Sequence, residues 1–136
     1  MIVRDIMTEN PVTADVSDTI GDALDTLTEL DVRHLPVVEG DRLVGLLSDR
    51  DLRTYALPAR VEFNNPQKAA ARLEHAVSEL MSGDVIAVSP EDDVIELVRL
   101  MIDHKFGAVP VVDPINGNLV GIVSYLDVLR AVEDLL

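Results

Sequence analysis

The sequence predicts a mixed α/β (α+β) fold made of one β-α-β-β-α unit used twice, the two copies packing sheet to sheet about a pseudo-twofold axis. Three observations carry this. Shifted by 74 residues, the chain aligns with itself: Val3 meets Val77, Ile6 meets Leu80, Met7 meets Met81, and Pro36-Val37-Val38 meets Pro110-Val111-Val112. Its 48% apolar content is almost wholly aliphatic, with only 3% aromatic residues, which suits β-branched strands backed by helices. A chain of 136 residues, halved, leaves each copy too small to bury its own sheet, so the copies must cover one another.

The elements follow in order and occur twice. A short turn ends at Met7 or Met81, and a short strand follows at Val12–Ala14 or Ile86–Val88. Ile20, Ala23, Leu24 and Leu27 match Val94, Leu97, Val98 and Met101. Each set is spaced i, i+3, i+4, i+7, which places one apolar stripe on a helix. These helices are predicted at about 18–31 and 92–104, with Ser17/Asp18 and Ser89/Pro90 as start signals. Two strands come next, about 35–38 with 42–47 and 108–112 with 118–123, turned by Gly40-Asp41 and Asn116-Gly117. After a two-residue insertion near Pro114, Leu43-Val44-Gly45-Leu46-Leu47-Ser48 meets Leu119-Val120-Gly121-Ile122-Val123-Ser124, and Asp51 meets Asp127. A last helix starts after each serine. Pro36 and Pro110 are expected to shape the beginnings of their strands, their missing N–H tolerated at a sheet edge.

The repeats divide the chain into a first domain at 1–56, a linker at 57–76 and a second domain at 77–136. The linker has no counterpart in the repeat. It reads as a loop at 57–65 and a connecting helix from about 66 to 76, with Asn65 as cap and Pro66 in the first turn. It is a spacer on one reading and the cover of a cleft on the other.

Charge and composition exclude several classes. Eleven basic against 25 acidic residues give a net charge of −14, which argues against nucleic acid as a partner, because phosphate contacts need clustered Lys and Arg. No apolar run is long enough to span a membrane, and the beginning of the chain does not read as a signal peptide. The absence of Cys removes disulfides, thiolate metal sites and a Cys nucleophile, and fits a cytoplasmic setting. No G-x-S-x-G, Walker A or G-x-G-x-x-G motif is present, so a catalytic role is not expected. The three His, His34, His75 and His104, show no metal-ligand spacing.

The paired Gly-h-h-Ser-x-x-Asp strings (h, apolar) stand after Val32-Arg33-His34-Leu35-Pro36-Val37-Val38 in one copy and after Gly107-Ala108-Val109-Pro110-Val111-Val112 in the other. In order and spacing this closely resembles a tandem CBS-domain pair, or Bateman module, of the free-standing kind. The resemblance covers about residues 2–54 and 77–135. It implies a regulatory sensor that binds AMP, ADP, ATP, S-adenosylmethionine, NAD or a related adenosyl ligand in clefts between the copies, with Mg²⁺ accompanying the nucleotide in some members and no cofactor required. It also implies a homodimer and an effector protein that reads the bound state. The alternative is a structural homodimerisation module with degenerate clefts.

The residues themselves say what such a site can do. In Ser48-Asp49-Arg50-Asp51 and Ser124-Tyr125-Leu126-Asp127, Ser-x-x-Asp is a capping-box pattern. The same geometry leaves backbone N–H groups free for phosphate and an Asp one turn on, able to accept from two ribose hydroxyls. Arg50 can pair with a phosphate, or with Asp49 on the surface; the second copy has Leu126 there. The resemblance further implies that Val12, Thr13, Arg33 and His34 line one cleft and Ile86, Ala87, Gly107 and Ala108 the other. Ser48 and Asp51 would then face the second group, and Ser124 and Asp127 the first.

Overall fold

A computed structural model describes residues 1–61 and 66–136 of the chain, with side chains described outside 56–66 and position 69. After a 3-10 turn at Val3–Asp5 come β1 (Thr8–Glu9), β2 (Ala14–Asp15), α1 (Ile20–Leu30), β3 (His34–Glu39), β4 (Arg42–Ser48), α2 (Asp49–Val61) and α3 (Pro66–Leu73). A second 3-10 turn at Val77–Glu79 precedes α4 (Val94–His104), β5 (Ala108–Val112), β6 (Leu119–Ser124) and α5 (Tyr125–Leu135). One sheet has the order β2-β3-β4 and the other β1-β6-β5. The doubled unit predicted from the sequence is therefore present.

The chain forms two compact units, and they do not coincide with the sequence repeats. One comprises Met1–Pro11, Asp41–Leu43 and Ile86–Leu136; the other comprises Val12–Gly40 and Val44–Val85. The opening segment of each repeat has gone to the other repeat's unit. The bonds that hold it are equivalent in the two places. Val3 donates its N–H to the Asp92 carbonyl (2.8 Å), as Val77 does to Asp18 (3.0 Å). Val94 donates to the Met1 carbonyl (3.0 Å), as Ile20 does to His75 (2.8 Å). β1 adds to β6 antiparallel, Thr8 opposite Ile122 and Glu9 opposite Gly121. Sequence patterning gave no sign of this two-residue strand.

Each unit has its own core, and the exchanged valine is fully buried in it. Val77 packs with Ile20, Leu27, Leu35, Val37, Leu47 and Leu52; Val3 packs with Leu97, Met101, Val109, Val111 and Val123. Each such valine contributes about 1.5–3 kcal/mol of burial to a unit not its own by repeat. Each exchanged methionine covers a glycine. A Cβ on Gly121 would meet the Met7 sulfur at 2.8 Å and the Thr8 carbonyl oxygen at 2.9 Å, and a Cβ on Gly45 would meet the Met81 sulfur and its Cγ. The glycine in each Leu-Val-Gly strand is thus the seat of the other repeat's opening turn.

Several local expectations need correction. α1 is capped by Thr19, not by Ser17/Asp18, and α4 by Asp93, not by Ser89/Pro90. The earlier polar residues are spent on a turn: Asp15 accepts from the Ser17 N–H (2.9 Å) and hydroxyl (2.6 Å), and Asp18 accepts from the Asp15 N–H (2.9 Å). Thr19 is left to accept from Asp22 N–H (3.1 Å) while the Asp22 carboxylate accepts from Thr19 N–H (3.2 Å). The strand predicted at Val12–Ala14 starts only at Ala14, and that at Ile86–Val88 shrinks to a parallel bridge from Val88 to Val111. α2 runs on to Val61, so residues 57–61 are helix rather than loop; 62–65, with the Asn65 cap, lie outside the described residues. α3 ends at Leu73, short of the predicted 76.

Pro36 and Pro110 stand third in β3 and β5 rather than at their beginnings. β3 is a middle strand, but its pairing with β2 begins at Val37, so Pro36 falls just outside that ladder. Pro110 lies opposite Ile122 and takes part through its carbonyl, which accepts from Val88 N–H at 3.0 Å. The hairpin turns are as predicted, with Gly40 at φ 64° and Gly117 at φ 76°, a conformation glycine adopts without a Cβ clash.

Candidate functional site

Both Ser-x-x-Asp strings sit where a strand becomes a helix. β4 ends on Ser48 and α2 begins at Asp49; β6 ends on Ser124 and α5 begins at Tyr125. The first helical N–H of each is bound to the residue before the first strand of the preceding hairpin, Asp49 N–H to the Arg33 carbonyl ahead of β3 (2.7 Å) and Tyr125 N–H to the Gly107 carbonyl ahead of β5 (3.0 Å). This ties Arg33 and Gly107 to the helix starts, so the segments read as one wall in the sequence adjoin their own repeat's motif.

The two motifs differ in what the Asp does. Ser124 Oγ accepts from Asp127 N–H (3.4 Å), and the Asp127 carboxylate accepts from the Ser124 N–H (2.8 Å) and hydroxyl (3.2 Å). That is a closed capping box. In the first repeat Ser48 Oγ accepts from Asp51 N–H (3.0 Å), but the Asp51 carboxylate accepts no hydrogen bond among the described residues. It is exposed and free to take hydroxyl donors. Arg50 is exposed as well. It does not pair with Asp49, whose carboxylate is held one turn along by Arg53 Nε at 2.6 Å.

Each Asp also lines a hollow in its own unit. The first, about 820 Å³, is bounded by Arg50, Asp51, Thr54, Tyr55, Arg72, His75 and Leu80. The second, about 530 Å³, is bounded by Met1, Asp5, Ile6, Asp127, Arg130, Ala131, Asp134 and Leu135. They occupy equivalent places, since Asp51 matches Asp127, Thr54 matches Arg130, Tyr55 matches Ala131 and Leu80 matches Ile6 in the repeat. Their chemistry is opposed. The first gathers Arg50, Arg72 and His75 against one carboxylate; the second gathers three carboxylates against Arg130.

The other predicted residues do not line these hollows. Val12 and Thr13 are exposed ahead of β2; Ile86 is exposed and Ala87 half-buried ahead of Val88. Ala108 begins β5 and is buried. Arg33 borders a separate hollow of about 260 Å³ with Asp31, Asp49 and Arg53. His34 begins β3, half-buried. Burial holds its imidazole below the ordinary value of 6.5, a pull that outweighs the opposing fields of Asp49 and Asp51 and is aided by Arg33. His34 is therefore mostly a neutral ring at pH 7.

Thr54, Tyr55, Arg72 and His75 were not singled out in the sequence. Thr54 and Tyr55 were within reach, being three and four residues after Asp51 and so on its helix face. Arg72 and His75 had no repeat counterpart to give them away. Among the described residues no cluster of three or more His, Asp or Glu is arranged to hold a metal ion, and no helix is long and apolar enough to cross a membrane.

Comparison with known proteins accounts for this arrangement. A CBS domain-containing protein of Dictyostelium discoideum is 30% identical over 130 residues, covering 95% of this chain and 89% of that protein. Of two longer relatives from Methanocaldococcus jannaschii the chain spans 43% and 46%. The crystal structure of CBSX2 in complex with AMP superposes with a TM-score of 0.82 at 32% identity, covering 98% of this chain and 97% of that one. The CBS domain pair of MJ0100, solved with 5′-methylthioadenosine and S-adenosyl-L-methionine, gives 0.79 at 28% identity, covering 100% and 98%. The CBS domain family profile matches residues 3–57 and again 77–134, so this chain, a tandem pair of such domains, belongs to the CBS-domain family.

Proposed function

We propose that the chain is a regulatory module that binds an adenosyl nucleotide and passes the bound state to a partner protein by a shift in conformation. The observation that carries this is the uncommitted Asp51 carboxylate, placed one turn into a helix beside Arg50 on the wall of a hollow. A ribose diol supplies two donors for that carboxylate. A phosphate suits the exposed Arg50 guanidinium at the start of α2. Solved relatives at 28% and 32% identity hold S-adenosyl-L-methionine with 5′-methylthioadenosine, and AMP. Val12, Thr13, Arg33 and His34, and Ile86, Ala87, Gly107 and Ala108, are assigned to the adenine walls, and Ser48 and Ser124 to the phosphate end. Mg²⁺ enters only as a companion of the phosphates.

Binding acts on the partner only through a difference in affinity between two conformations. The first test is calorimetry of the intact chain with AMP, ATP and S-adenosylmethionine. Binding is expected, with Asp51→Ala weakening it about tenfold, as for loss of a charge-assisted contact. Asp127→Ala should weaken it less, because that carboxylate already serves its own helix. Absence of binding at millimolar ligand overturns the proposal.

A second reading, a homodimerisation module, is favoured by one observation. α5 buries none of its residues and presents Leu126, Leu129, Val132 and Leu135, at 47%, 57%, 43% and 73% exposure. The two readings are compatible, since a dimer can be the form in which the ligand is sensed.

A further inference from the structure

We infer that the end of α3 is part of the first ligand site, where Arg72 makes the hollow favour adenosyl ligands carrying a phosphate chain. This rests on the proposed function and names the ligand class of its first site. Arg72 lies near the end of α3, in the stretch without a repeat counterpart, and borders the same hollow as Arg50 and Asp51. Its guanidinium sits over the Tyr55 ring, 5.6 Å from the centroid. Tyr55 Oη in turn shares a hydrogen bond with His75 Nδ1 (2.5 Å), and His75 lies 3.2 Å from Glu79. Tyr55 is thus fixed from one side and carries Arg72 on its face.

The cation–π contact steadies the guanidinium without neutralising it. Neither Arg72 nor Arg50 has a carboxylate partner within ion-pair distance among the described residues. In a chain of net charge −14, two unpaired guanidiniums around one hollow form an uncommon positive spot. Guanidinium matches phosphate in geometry and charge. With ribose on Asp51, the phosphate chain runs between Arg50 and Arg72. The equivalent hollow in the other unit has Asp5, Asp127 and Asp134 around Arg130, which repels a phosphate chain. Adenosine, which carries no anionic group, has no use for Arg72.

The test is calorimetry of the intact chain with adenosine, AMP, ADP and inorganic pyrophosphate. In the wild type, affinity should rise from adenosine to ADP. Arg72→Gln should weaken ADP about tenfold and leave adenosine unchanged. Arg50→Gln should act in the same direction, and Arg72→Lys should restore part of the loss. An ADP-to-adenosine ratio unaltered by Arg72→Gln overturns the inference while leaving the proposed function standing. If no adenosyl compound binds the wild type, the proposed function fails instead. Pyrophosphate then decides the anion site: binding lost in Arg72→Gln upholds it, and no pyrophosphate binding overturns it.

Discussion

At the scale of single residues, what matters is which groups are already engaged. Asp51 and Asp127 are the same residue in the repeat, yet one is free and the other closes a capping box. His34 gives a pH prediction. Its folded-state value is lowered by burial, so between that value and 6.5 the unfolded chain binds more protons than the folded one. Its contribution to stability is complete above the unfolded value and is lost as pH falls through the folded one. Urea unfolding at pH 7.0 and pH 5.0 should show the wild type losing more stability on acidification than His34→Gln; equal losses would refute this.

The two strand glycines give a second prediction at this scale. Gly121→Ala is expected to cost about 1–3 kcal/mol, the usual range for overpacking. Met7→Ala should not relieve it, because the Thr8 carbonyl oxygen remains in the way. The three atoms nearest a Cβ on Gly45 all belong to the Met81 side chain, so there Met81→Ala should relieve much of the loss. A double-mutant cycle on each pair measures the difference, and equal coupling at both sites would contradict it.

At the scale of elements, the repeated helices behave alike where the sequence repeats and part where it does not. α1 and α4 both end on a non-glycine residue in the left-handed region, Asp31 at φ 51° and Lys105 at φ 58°, whose N–H groups close on Leu27 and Met101. α5 holds its first turn by the Ser124 box but leaves Leu126, Leu129, Val132 and Leu135 to solvent. A helix with so broad an uncovered stripe usually has a partner. The prediction is that light scattering finds a dimer, and that Leu129→Asp shifts it to monomer while leaving the thermal midpoint within a few degrees. A monomeric wild type would refute it. The apolar periodicity was readable in the sequence, and so were the hairpins and the strand-to-helix steps. The true caps were not. Ser, Thr and Asp crowd the approach to α1, and only the turn made by Asp15, Ser17 and Asp18 shows why Thr19 is left to cap.

At the scale of the whole molecule, the exchanged opening segments matter most. A fragment cut at the repeat boundary, 1–56, keeps Val3 without its core and lacks Val77 and Met81. A fragment of 12–85 keeps Val77 with Ile20, Leu35 and Leu47 and Met81 over Gly45. The expected outcome is a cooperative thermal transition for 12–85 and none for 1–56; circular dichroism checks this, and the reverse order would contradict the exchange.

The sequence by itself determined the doubled β-α-β-β-α order, both Ser-x-x-Asp helix starts, the hairpin glycines and the family, because each is written in local spacing that recurs 74 or 76 residues later. Only the tertiary structure decided where each opening segment goes, which Asp is free, and that Arg72 and His75 stand beside Asp51. Those facts depend on residues far apart in the chain, and two of those residues lie in a stretch the repeat does not copy. Local patterning carries no term for either.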